Sequence, residues 1–107
     1  MSHPTVAVAV IRDNPPGVLV AEDFAVLHRA LAVRLVARAD RRIFSPEVLG
    51  QLQHALLGEK WSDAVAMWIK NTGIPIDVYT EDVFTAEEFP PALLGVQMQF
   101  SPLFAEP

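Results

Sequence analysis

The sequence predicts an α+β domain, a two-layer sandwich in which a three- or four-stranded sheet packs against about three helices. Three observations lead there. Short β-branched runs stand near the start and in the second half of the chain, three helical stretches lie between them, and turn-forming residues punctuate the boundaries. The helices fall as one block after the first strands, which argues against a regular alternation of strand and helix.

Thr5 to Ile11 reads TVAVAVI. Val6, Val8 and Val10 face one way and Ala7, Ala9 and Ile11 the other, so the pattern suits a strand covered on both faces. Arg12 to Gly17 is a turn by composition. Val18 to Val20 either returns as a second strand, making a hairpin, or leads straight into the first helix. That helix is expected over Glu22 to Ala39, with Glu22 and Asp23 at its positive end and Arg38, Arg41 and Arg42 at its negative end.

The first helix carries two apolar stripes. Phe24, Leu27, Leu31 and Leu35 recur at helical spacing and suffice to dock it on the sheet. Val26, Val33 and Val36 form a second stripe on the other side, with Ala30 and Ala37 between them and Arg29 at its border. A surface helix of a small monomer needs only one stripe. The second is covered either by the chain's other helices or by another polypeptide.

Ser45-Pro46 opens the next helix, since serine is a favoured N-cap and proline a favoured first residue. Val48, Leu49, Leu52, Ala55 and Leu56 share one face, and Gly58 ends it. A third helix runs from about Lys60 to Thr72, with Trp61, Val65, Trp68, Ile69 and Thr72 on its apolar face and Gly73 as the terminating glycine. Ile74 to Tyr79 reads as a strand with Ile74, Ile76 and Val78 inward, and it begins at, or lies at an edge because of, Pro75. Thr85-x-x-Glu88 matches a capping box, and Val96, Met98 and Phe100 alternate with glutamines as a half-exposed strand would. With no repeat or linker, residues 1–107 are expected to form a single domain.

Composition narrows the function classes. Of 107 residues 51% are hydrophobic, and mean hydropathy is +0.28, a generous apolar supply for so short a chain. Leftover apolar surface points to an oligomer or a protein partner. A net charge of −5 argues against nucleic acid and against an anionic membrane surface. The absence of cysteine excludes disulfides, thiolate metal sites and thiol nucleophiles, and suits a cytoplasmic setting. Met1-Ser2-His3-Pro4 lacks the basic residues of a leader, and no apolar run reaches the length of a membrane span.

No phosphate-binding glycine motif and no nucleophile motif is present. His3, His28 and His54 are dispersed without metal-ligand spacing, so neither a metal nor another cofactor is expected. The five glycines fall at element ends, except Gly50. The expected function is a non-catalytic protein–protein interaction module, self-associating or serving as a small accessory or inhibitory subunit. Its candidate interface is Val26, Arg29, Ala30, Val33, Val36 and Ala37. Two alternatives stand beside it. One is a small-molecule-binding domain or small enzyme with a pocket near His28, Trp61, Trp68 and Tyr79. The other is an acidic, immunity-type inhibitor that masks a basic target site with Glu81, Asp82, Glu87 and Glu88. Arg34, Arg38, Arg41 and Arg42 form a small basic cluster suited to a carboxylate or phosphate, or simply to the end of a helix.

Overall fold

A computed structural model describes residues 4–85, Glu87 and Leu103. The chain divides into two compact units, Thr5–Glu81 and a second made of Met1–Pro4 with Asp82–Pro107. The single-domain expectation concerned the whole chain; all the elements below belong to the first unit, apart from the last residue of its final strand.

Strand β1 (Thr5–Ile11) pairs antiparallel with β2 (Gly17–Ala21), so the hairpin alternative is the one realised. Their register sets Val8 against Val20 and Val10 against Val18. A third strand, β3 (Ile76–Asp82), flanks β1 on its other side, giving the order β2-β1-β3. Two hydrogen bonds bracket that pairing and make it antiparallel: the Arg12 amide donates to the Pro75 carbonyl (2.9 Å) and the Val83 amide to the Pro4 carbonyl (2.8 Å). Among the described residues β3 is therefore an edge strand, and Pro75 precedes it, where its missing N–H costs no ladder bond; Val78, expected inward, is 38% exposed. Arg12 also pairs with the Asp77 carboxylate across the same strands. Expected strand candidates near residues 96–100, and the capping box completed by Glu88, lie outside the described residues.

The two faces of β1 differ. Ala7, Ala9 and Ile11 are buried in the main core. On the other face Val8 is buried, but its neighbours on β2, Val18 and Val20, are 61% and 60% exposed. Small alanines let the helical layer approach the sheet closely, whereas the valine rows stand toward the opposite side.

The first helix, α1, spans Phe24–Leu31 and continues as a π turn over Ala32–Val36. Asp23 is its N-cap, accepting from the Val26 amide, rather than a first-turn acid, and the helix is shorter than the expected 22–39. The π turn is closed by the Ala37 amide donating to the Ala32 carbonyl at 2.8 Å, five residues back. One extra residue in a turn rotates everything beyond it by about a quarter turn. A single 3₁₀ turn, Arg41–Ile43, follows. Helix α2 (Pro46–Leu57) starts on the Ser45 cap, and α3 (Trp61–Thr72) ends on Gly73, whose φ of 72° is the left-handed geometry that favours glycine.

The central helix is α1: it touches β1 and β2 on one side and α3 on the other. Leu27, Leu31 and Ala32 are fully buried there, joined by Val36, Leu52, Ala55, Ala64, Val65 and Trp68. Phe24, expected in the docking stripe, is instead 42% exposed at the first turn, and Leu35 is only partly buried.

Candidate functional site

The face of α1 turned away from the core carries an open groove of about 390 Å³, lined by Val26, Arg29, Ala30, Val33 and Arg34. These residues recur at three- and four-residue spacing, which places them on one side of a helix. Val26 and Val33 are 44% and 47% exposed, so two β-branched side chains stand in solvent with alanine between them. The Arg29 guanidinium lies 5.9 Å from the centroid of the Trp61 ring on α3, a cation–π contact. Arg34 supplies a second cation.

Four of the six sequence-predicted interface residues line this groove together. Val36 does not: it is 5% exposed and packs in the chain's own core. The physical reason is the π turn, which rotates Val36 off the outer stripe and inward; placing it with Val26 and Val33 assumed an unbroken 3.6-residue period. Ala37 is exposed and lines a separate, smaller cleft with Phe44 and Leu49. Arg34, read in the sequence only as one of a basic cluster, belongs to the groove.

The residues proposed for a small-molecule pocket occupy different settings. The Nδ1–H of half-buried His28 donates to the Phe24 carbonyl of its own helix at 2.8 Å. That bond sets the tautomer and is an ordinary intrahelical contact. Trp68 is buried in the core, Trp61 is half-buried beneath Arg29, and Tyr79 is on the edge strand β3. Among the described residues none of the four lines the groove on α1 or the clefts beside α2, and no three histidines, acids or cysteines gather to hold a metal.

Of the acidic residues, Glu81 and Asp82 end β3 in solvent and Glu87 is exposed; Glu88 lies outside the described residues. Arg42 of the basic cluster is bound within the chain, its guanidinium pairing with Asp40 at 3.0 Å. The side-chain hydrogen bond from Arg42, with its backbone amide in support, holds the Asp40 carboxyl below the ordinary carboxylate value. Among the described residues no helix is long and apolar enough to cross a membrane.

A second cleft was not foreseen from the sequence. It is open, about 490 Å³, and lies between α2 and α3, with Ala55 and Met67 as its apolar floor. Gly50, the glycine that no turn explains, lines it. That unexplained glycine was the available signal.

No protein-family model matches this chain, and neither a curated protein nor a solved structure is similar to it.

Proposed function

We propose that this chain is a non-catalytic protein–protein interaction module, and that it binds through the outer face of α1. The observation that carries the reading is the pair Val26 and Val33, each nearly half exposed on either side of Ala30. A helix that packs on the sheet with Leu27 and Leu31, and on α3 with its other flank, gains nothing internally from two further β-branched residues in water. Between the cations Arg29 and Arg34 they form a small apolar strip with a polar rim, the composition of a docking surface. Ala30 keeps the strip shallow, so an opposing backbone can come close. The rim favours a partner that offers apolar side chains bordered by carboxylates. Such a partner makes the chain an accessory or inhibitory subunit; a like chain in that place makes it an oligomer.

Affinity capture from the native host tests this, comparing the wild type with Val26→Glu/Val33→Glu. Both positions are exposed, so the variant is expected to fold and to lose the wild-type partner. Retention of the same partner by the folded variant, or no partner for the wild type, contradicts the reading.

A further inference from the structure

The hairpin of α2 and α3 contains two residues that its own fold does not require. Gly50 sits mid-helix, where glycine is less favourable than alanine. Among the described residues, a Cβ placed on it meets no heavy atom within 4 Å. No neighbour among the described residues therefore demands the missing side chain. Lys60 occupies the N-cap of α3, makes no side-chain capping bond, and sets a cation at the positive end of the helix. Both residues line the same cleft. Local choices that oppose the fold without an internal compensation are expected where a surface has another role.

We propose that this cleft receives a second copy of this chain, with α2 packed antiparallel on α2 about a two-fold axis. This goes beyond the reading of α1, since it concerns a different face. The occupant follows from the order of charges. Glu47, Gly50, Gln51 and His54 form one stripe of α2 at spacings of three, four and seven residues, and all four line the cleft. The stripe mirrors about the bond between Gly50 and Gln51. An antiparallel two-fold contact centred there sets Glu47 of each copy against His54 of the other, and Gly50 against Gln51. A two-fold interface must be complementary to itself, and this stripe is. The imidazole N–H donates to the carboxylate whether the ring is neutral or charged.

The α3 side reinforces the same polarity. Lys60 stands beside the His54 end of the cleft, so the incoming Glu47 meets a cation as well as the imidazole. Asp63, one turn further along α3, is the carboxylate that partly offsets them. At the crossing point Gly50 has no side chain to hold two backbones apart, which is the use of a glycine where helices approach closely. Met67 on the floor is a flexible apolar side chain able to fill the remaining gap.

One helix pair buries less than a standard interface, and its charge pairs are solvent-exposed, so the dimer is weak and loosens with salt. Sedimentation of the full chain at low salt, up to about 0.5 mM, is the test, because a weak dimer is revealed by its concentration dependence. Gly50→Leu places its Cβ where the described residues leave room, and the larger side chain blocks the crossing; it is expected to weaken dimerisation at least about tenfold. Glu47→Lys should weaken it similarly, and Glu47→Lys/His54→Glu should return it to within about threefold of wild type, as a double-mutant cycle requires of a direct pair. Circular dichroism confirms that each variant is folded. Val33→Glu is expected to leave this dimer unchanged. A wild type that stays monomeric overturns the proposal. So does a dimer indifferent to Gly50→Leu, or a charge swap that fails to restore what the single change removes. A dimer lost in Val33→Glu yet intact in Gly50→Leu overturns it while leaving the α1 reading standing.

Discussion

The π turn of α1 and the glycine of α2 are both departures from ideal helix, and they differ in what accounts for them. At Ala32–Val36 the irregular turn has an internal result: it brings Val36 into the core beside Leu31 and Ala32. At Gly50 no contact among the described residues is gained by lacking a side chain. The first irregularity is explained by packing and needs no partner. The second, together with the uncapped Lys60, is left over after the fold is accounted for. Leftovers of this kind separate surface that serves the molecule itself from surface that serves something else.

That contrast can be broken at several points. The largest effect is expected inside the core. Trp68 is 4% exposed, and Trp68→Ala should destabilise the chain by about 3–5 kcal/mol in denaturant unfolding, the cost of emptying a large aromatic site. A loss under about 1 kcal/mol would show that α3 is not anchored as the packing implies. A smaller effect of opposite sign is expected at Gly50. There Gly50→Ala should stabilise the dilute chain by up to about 1 kcal/mol, because alanine favours helix and the space is open. Destabilisation would mean that the glycine does have an internal function, and the contrast with the π turn would disappear.

The smallest effect concerns Asp40. Its carboxyl titrates below the ordinary value because Arg42 bonds to it, so its contribution to stability is present above the unfolded-state value and is lost as pH falls through the lower folded-state value. Asp40→Asn should therefore lower stability slightly in the neutral region while leaving it nearly unchanged below the folded-state value, which flattens the acid side of the pH–stability curve. Both groups are solvent-exposed, so water and salt screen the pair. An NMR titration placing the Asp40 midpoint at or above the usual carboxylate range would remove the basis for this expectation.

The fold was legible in the sequence wherever a local signal decides the structure. Ser45-Pro46 starts α2 and Gly73 stops α3 because a cap hydroxyl and a left-handed glycine act on their immediate neighbours. The alternation of Thr5 to Ile11 set the two faces of β1 for the same reason. Features fixed by distant contacts were not legible. Whether Val18–Val20 is a strand depends on pairing with Val8 and Val10, not on its own composition. The polar end of β3, Thr80 to Asp82, has no strand pattern and is an edge strand against β1. Val36 was misplaced because a π turn has no sequence signature of its own. The α1 groove was nonetheless visible in outline, since Val26, Ala30 and Val33 precede or fall early in that turn and keep helical spacing. The cleft between α2 and α3 was missed because its residues come from two helices whose relative packing no periodicity reveals.

In the proposed arrangement Val33 faces a partner and Val36 faces the chain's own interior, although they are three residues apart on one helix. The most direct measurement is a paired comparison of Val33→Glu and Val36→Glu, following denaturant unfolding and retention of the captured partner on the same preparations. Val33→Glu should remain folded within about 0.5 kcal/mol of wild type, as surface changes do, and should lose the partner. Val36→Glu should lose about 3 kcal/mol or more, or fail to fold, because it buries an unpaired charge. If Val33→Glu unfolds the chain as Val36→Glu does, or stays folded and keeps the same partner, the outer face of α1 is not a docking surface.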